Sequence, residues 1–359
     1  MDSREKPKFV IASKCGSACV AIHSTKVDSS VKTAMLGITQ MLEFVYNISK
    51  QYIGGLMISV CGGGAWGSAL AFALAHKQEV QIFSRRELDS AWGAPFAIRQ
   101  VGLEEACAQD LVVVAISVAY LRDFLATIPR NPNARYLFAS KGIEEESGAF
   151  VHQIAAEFVD SSKICALSGP SFAKEVRQCL PCAIAIHAQD PLTAQSFSTL
   201  FPAFMKTYVG DDLVGAEIAG AYKNVIAIAG GISDGLMLGN NAKAALLARG
   251  LVEMERFGQV FGAKTETFLG LSGSGDLFLT AGSTLSRNYR VGLGLAQGRA
   301  LQSVLEEIGE VAEGVRTARA IHTIATRKNI YTPIVNEVVQ ILDGKACKEG
   351  ILALMAQRD

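Results

Sequence analysis

At 359 residues, half of them hydrophobic and 19% charged, the chain is long enough for two domains with a large core and too apolar for a disordered one. Its 34 basic and 34 acidic residues cancel, so composition gives no basic excess that would draw in nucleic acid or an anionic membrane surface. A bound phosphate would have to be held by a local site.

The eight cysteines are Cys15, Cys19, Cys61, Cys107, Cys165, Cys179, Cys182 and Cys347. Several lie in apolar, strand-like runs, where a thiol behaves as a small hydrophobe. Cys179-Leu-Pro-Cys182 has redox spacing, but no matching Cys or His cluster points to a metal. A reducing cytoplasm is the simplest reading. No uncharged apolar run reaches the roughly 18 residues of a membrane span. Residues 1–56 lack the basic, apolar and small-residue order of a signal peptide. They read either as a dispensable arm or as the product of an upstream start codon.

Met57 to Cys61 (MISVC) is the first convincing strand. Gly62-Gly-Gly64-Ala65-Trp66-Gly67 follows it and opens a helical run, SALAFALA. Gly-x-Gly-x-x-Gly between strand and helix is the dinucleotide-binding arrangement. Gly62 permits the tight turn, Gly64 lets backbone approach a pyrophosphate, and Gly67 lets helix and strand pack closely. The helix N-terminus then faces the phosphates. The next strand, Val80 to Phe83, ends at Ser84-Arg85-Arg86 instead of the acid that a free ribose 2'-hydroxyl usually meets. Two guanidiniums suit a 2'-phosphate, so NADP is permitted alongside NAD; the alternative is a solvated arginine pair.

Leu111 to Ile116 and Tyr136 to Ala139 read as central parallel strands, the second leading into Lys141 just past its carboxyl end. After Ile164 to Leu167, Ser168-Gly169-Pro-Ser171-Phe-Ala173 can offer backbone N–H groups and a hydroxyl to an anion, or Ser171 can simply cap the next helix. Ala183 to His187 and Lys206 to Val209 look like further strands, with His187 more often a structural than a catalytic histidine in such a place. Gly210-Asp211-Asp212 reads as a linker. Beyond it helical spacing dominates to Asp359.

The long apolar helix from Gly215 to Leu236 carries Lys223 in its middle. Desolvation there would lower the amine's pKa toward neutrality and suit it to proton transfer. Alternatively, the stem lies on apolar surface while the head reaches water. Arg249 and Glu253 have i,i+4 spacing. Gly273-Ser-Gly-Asp276 is a glycine-rich turn with one acid, readable as a cap. Ser286-Arg287-Asn288 opens a helix, and the hydroxyl, guanidinium and helix N-terminus together make either a phosphate grip or a capped end. Glu310-Val311-Ala-Glu313-Gly314 is another polar turn.

From about Met57 onward these residues resemble bacterial-type NAD(P)-dependent glycerol-3-phosphate dehydrogenase. The likeness rests on GGGAWGSALA, SKGIE, LSGPSFAKEV, GAYKNVIAIAGGISDGL, NNAKAALLARGLVEM, GSGDLFLT, SRNYRVG and VAEGVRT. The resemblance implies an α/β N-terminal Rossmann-like doubly wound domain (57–210) and an all-α C-terminal domain (211–359), in a 6-phosphogluconate-dehydrogenase-like fold, after an extension (1–56). It implies interconversion of dihydroxyacetone phosphate and sn-glycerol 3-phosphate with NAD or NADP, feeding phospholipid synthesis. Members are cytoplasmic and often homodimers.

Carried over by motif, Lys223 would be the proton donor and acceptor. Lys141, Gly169, Ser171, Lys223, Asp276, Ser286, Arg287 and Asn288 would surround the substrate. Gly62, Gly64, Ala65, Trp66, Gly67, Arg85, Lys141, Ala173, Arg287, Val311 and Glu313 would meet the cofactor. Two features depart from the family pattern: the stretch from Arg86 to Leu111 is short, and Ile116 stands where a proline is commoner before Ser117. Two rival readings remain at this point, a hydroxyacid dehydrogenase and a non-catalytic NADP sensor.

Overall fold

The computed structural model describes residues 57–356 apart from 90–92, 94, 97 and 310. The readings of residues 1–56 and Glu310 lie outside the described residues, and the short segment after Arg86 is described only in part. No described helix is long and apolar enough to cross a membrane.

The first half alternates strands and short helices. They are β1 (Met57–Cys61), α1 (Ala65–Leu74), β2 (Glu79–Phe83), β3 (Arg99–Gln100), α2 (Leu103–Cys107) and β4 (Leu111–Val114). There follow α3 (Leu121–Thr127), β5 (Arg135–Phe138), α4 (Val151–Ala156), β6 (Ile164–Ser168), α5 (Ala173–Arg177), β7 (Cys182–Ala188), α6 (Pro191–Ser198) and β8 (Met205–Gly210). The strands form one eight-stranded sheet in the order β3-β2-β1-β4-β5-β6-β7-β8. Pairing is parallel except between β6 and β7. The runs of Val, Ile and Leu in β1, β4 and β6 are buried because apolar clusters cover both faces of the sheet. The strand expected over Leu111 to Ile116 stops at Val114, since Ala115 and Ile116 turn into the loop beside Gly62.

The chain builds outward from β1 on one side, then crosses to β4 on the other. The order therefore reverses between β1 and β4, and this is where open α/β sheets leave a crevice at their carboxyl ends.

The second half is helical: α7 (Leu213–Gly235), α8 (Asn240–Gln259), α9 (Thr265–Leu269), α10 (Asp276–Ala281), α11 (Arg287–Ala296), α12 (Leu301–Ile308), α13 (Glu313–Lys328), α14 (Pro333–Leu342) and α15 (Cys347–Ala356). A π turn, Leu271–Gly275, joins α9 to α10. α7 is apolar all round because it is the axis of this half, packed against α8, α10, α11, α13 and α14. Glycines set how close α11 comes: a methyl at Gly231 would stand 2.0 Å from Tyr289 O, and one at Gly292 2.0 Å from Ile228 O.

The expected linker is a fastened joint. Asp212 caps α7 by accepting from Gly215 N at 2.9 Å, and it also accepts from Lys264 N at 2.9 Å and Thr267 Oγ1 at 2.6 Å. Glu217 of α7 ties back to the sheet half, accepting from His152 N at 2.9 Å with His152 Nδ1 at 2.7 Å. Glu253, at i,i+4 from Arg249, has a structural role. Its carboxylate accepts from Tyr222 OH at 2.8 Å and from the N-terminal amides of α14, Ile334 N at 2.8 Å and Val335 N at 3.0 Å. The carboxylate thereby satisfies orphan amides at a helix start.

Candidate active site

The glycine-rich turn lies in the crevice between β1 and β4. Gly62 has a φ of +127°, and any side chain there would meet Ala115 O at 2.5 Å. A methyl at Gly67 would stand 1.9 Å from Gly62 O, so only glycine lets α1 come this close to the turn. At Gly64 the opposite holds: nothing lies within 4 Å of an added methyl. Gly64 is the residue before α1 and gives its first amides no side-chain cap. Ala65 and Trp66 form the helix's first turn.

Across the crevice, Lys141 follows β5. Its stem lies along α7 at Gly220, where a methyl would be only 3.6 Å from Lys141 Cγ. Its Nζ donates to Asp276 Oδ2 at 2.7 Å. Lys223, one turn further along α7, donates to Asp276 Oδ1 at 2.5 Å and to Thr280 Oγ1 at 2.9 Å. One carboxylate thus holds two ammonium groups, one from each half of the molecule. Lys223 is 6% exposed and Asp276 1% exposed, so the amine is buried and the snorkelling alternative fails.

Burial pulls the Lys223 pKa down to about 7; Asp276 resists this and the Lys141 charge adds to it. Burial pushes the Asp276 carboxyl the other way, but the charges of Lys141 and Lys223 prevail and hold it below its ordinary value.

Asp276 is placed by the π turn before it. Gly275 N donates to Gly270 O at 3.1 Å, and Ser274 Oγ donates to Leu269 O at 2.7 Å. The stretch read as a cap is therefore a wide turn that delivers the first residue of α10 into the crevice. The turn after β6 abuts it, with Pro170 Cδ 3.5 Å from where a methyl on Gly275 would stand. In that turn Ser171 does not cap α5. Its hydroxyl donates to Gly169 O at 3.1 Å, and Phe172 is the residue before the helix, which Ala173 begins.

Above this cluster two helix starts meet. Ser286 caps α11, accepting from Tyr289 N at 3.2 Å. Arg287 and Asn288 form the first turn of α11, and Asn288 Oδ1 accepts from Gly314 N at 2.9 Å. That bond seats α13, whose first residue is Glu313. Burial pushes the Glu313 carboxyl up, against the lowering pull of Ser117 and of the Arg287 charge. Glu313 Oε2 lies 3.4 Å from where a methyl on Gly142 would be.

A family model described as NAD-dependent glycerol-3-phosphate dehydrogenase C-terminus matches residues 212–353, and its N-terminus counterpart matches residues 96–194. The Bartonella bacilliformis protein named glycerol-3-phosphate dehydrogenase (NAD(P)+) is 54% identical over 309 residues, covering 84% of this chain and 99% of the relative. A Helicobacter pylori protein of the same name is 55% identical over 305 residues, covering 82% and 97%. The crystal structure of glycerol-3-phosphate dehydrogenase from Coxiella burnetii superposes with a TM-score of 0.79 at 30% identity, covering 84% of this chain and 99% of that one.

The chain belongs to the NAD-dependent glycerol-3-phosphate dehydrogenase family. It is an oxidoreductase with NAD(P)-dependent glycerol-3-phosphate dehydrogenase activity, and its cofactor is NAD or NADP.

The residues present fit a dinucleotide. The open space at Gly64, beside uncapped amides at the start of α1, is what a pyrophosphate requires. The side chains singled out in the sequence fall into three groups. Lys141, Lys223 and Asp276 are in direct contact. Arg287, Asn288 and Glu313 meet where α11 and α13 begin. Arg85 stands apart beyond β2, its guanidinium carbon 5.8 Å from the Tyr120 ring centroid, and Val311 is exposed before α13. The second arginine of the pair is committed: Arg86 donates to Gly63 O at 2.9 Å and so braces the fingerprint turn.

Thr280 escapes the sequence reading. Its only trace there is Asp-x-x-x-Thr spacing from Asp276 in an apolar helix, which puts both oxygens on one face toward Lys223.

Proposed function

We propose that Lys223 delivers a proton to the C2 oxygen when dihydroxyacetone phosphate is reduced, and takes it back when sn-glycerol 3-phosphate is oxidised. The observation that carries this reading is the seat of the Lys223 amine. It is buried, shared with Asp276 and Thr280, and brought to a pKa of about 7. At that value both protonation states are accessible near neutral pH.

When bound, the cofactor exchanges a hydride with the substrate's C2. The chain's own residues do the rest. In the reducing direction the Lys223 ammonium stabilises the charge that builds on the carbonyl oxygen and then gives up its proton. Asp276 keeps the amine aimed and, by holding Lys141 as well, fixes one cation from each half beside the same reacting centre. The start of α11 is the phosphate grip. The Arg287 guanidinium and the first-turn amides offer donors, and the Ser286 hydroxyl keeps its own proton to donate because it caps by accepting. Asn288 contributes through its backbone, since its side-chain oxygen is committed to Gly314. Gly169 and Ser171 border the substrate from the sheet side.

Gly62, Gly64, Ala65, Trp66 and Gly67 would hold the pyrophosphate, Arg85 the adenosine side, and Lys141, Ala173, Arg287, Val311 and Glu313 the remainder. We assign the activity to the supply of glycerol phosphate for phospholipids, with a cytoplasmic homodimer as the working form.

The test is an assay of the purified protein with dihydroxyacetone phosphate and NADH or NADPH. Lys223→Ala is expected to lower kcat by roughly a hundred- to ten-thousandfold while cofactor affinity stays near wild type. Near-normal turnover in that variant would remove Lys223 from the chemistry.

A further inference from the structure

Two of the polar contacts between the halves of the molecule lie at or behind Asp276. Lys141 with Asp276 is one. The other lies behind the π turn, where His187 Nε2 is 3.1 Å from Ser272 Oγ. His187 is near the end of β7, in register with Gly210, the last residue of β8. Its ring lies close against that residue: a methyl at Gly210 would stand 2.5 Å from both Cε1 and Nδ1 of His187. The imidazole is therefore fixed at the joint where the sheet half hands over to α7, and it reaches across to the helical half. His187 and Ser272 are both buried.

Ser272 is the second residue of the π turn that runs directly into Asp276. A π turn is a poor holder of position by itself, because its hydrogen bonds close wide rings and two of its residues here are glycines. Something outside it has to fix where it ends. Two contacts reach it from the sheet side: Pro170, against Gly275, and the His187 bond to Ser272, among others made by β7. Of these two, only the His187 bond is directional.

We propose that His187, through its hydrogen bond to Ser272, is a positioning residue that sets the π turn and thereby the Asp276 carboxylate against Lys223 and Lys141. The proposal rests on the reading of Lys223 as the proton carrier. The charged groups around the ring are Asp211 and Asp212, both on the joint; Asp212 is already committed to Gly215, Lys264 and Thr267, and Asp211 to the Lys264 ammonium at 2.7 Å. Burial outweighs their pull and lowers the His187 pKa, so the ring is neutral at physiological pH and one of its nitrogens shares a proton with Ser272 Oγ.

The experiment follows kcat and KM for glycerol 3-phosphate oxidation against pH in the purified full-length protein. It compares wild type with Ser272→Ala, His187→Phe, His187→Gln and Lys223→Ala, with thermal denaturation alongside. Ser272→Ala and His187→Phe are expected to lower kcat about tenfold with little change in KM, since a small displacement of the charged group is felt in the reacting state. The acid limb of the profile is expected to move to lower pH by about half a unit, because Asp276 then supports the Lys223 charge from further away. His187→Gln, whose amide can reach Ser272, recovers most of both. Ser272→Ala with wild-type kcat and an unmoved limb would overturn the proposal, as would a lowered melting temperature with no change in the limb. Loss of activity in Lys223→Ala beside an unaffected Ser272→Ala removes His187 alone; an active Lys223→Ala with its acid limb intact removes both readings.

Discussion

In the sheet half, the residues at the crevice sit on turns just past strand ends, and much of what they offer is backbone. Gly62, Gly64 and Gly67 act through the side chains they lack. In the helical half the reverse holds: Lys223, Asp276 and Thr280 project from helices into a buried setting, and what they offer is side chains. The difference follows from the elements. A turn past a parallel strand exposes amides that can approach a phosphate, and any Cβ there obstructs them. A helix satisfies its own amides along its length, so it can give a site only side chains or its first turn. The halves should accordingly fail in opposite ways, one when an atom is added and the other when a charge is taken away.

The largest expected effect of an added atom is Gly67→Ala. The new methyl would fall 1.9 Å from Gly62 O, and both neighbours are backbone with no rotamer to give. A loss of about 3 kcal/mol of stability is expected, with cofactor binding lost alongside it. Chemical denaturation and cofactor titration read the two effects, and a stable, cofactor-binding Gly67→Ala would break the comparison on the sheet side.

The matching removal is Asp276→Asn, which keeps the shape and discards the charge. A fall in kcat of about a hundredfold is expected. The pH profile gives the sign. Oxidation needs the neutral amine, so wild-type activity in that direction should rise with pH through about 7, and reduction should fall through the same point. Asp276 opposes the lowering that burial imposes on Lys223, so without it the amine loses its proton more readily and both limbs move to lower pH. A profile that stayed in place would mean that Asp276 does not govern the amine.

The same contrast explains what the sequence disclosed. The fingerprint was legible because its constraints are local: strand, turn and helix start lie within a few residues, and only glycine meets them. Lys223 was conspicuous as a lone charge in an apolar helix, although the helix alone could not decide between proton transfer and snorkelling. What rules out snorkelling is the tertiary seat of the amine on Asp276, 53 positions away, which also holds Lys141, 135 positions from it. Spacing carries no information about such pairs. One local pattern misled. Ser171 has the look of a cap but turns back two residues to Gly169 O. The π turn was hidden because a glycine-rich stretch before an acid looks the same whether it ends a loop or delivers a carboxylate.

Gly64→Ala sharpens the comparison most while disturbing the protein least. An added methyl here meets nothing within 4 Å, and Gly64 has a φ of −73°, which alanine adopts without strain. Stability should stay within about 0.5 kcal/mol of wild type. Yet the methyl would occupy the space through which a pyrophosphate approaches the first amides of α1, so the Kd for NAD and NADP should rise while kcat at saturating cofactor changes little. The substitution therefore separates two explanations of a glycine at this position. If it served the fold, melting temperature would fall and affinity would follow it down. If it serves the ligand, affinity falls alone, and a backbone surface left bare for a phosphate is then as much a functional group as the amine of Lys223.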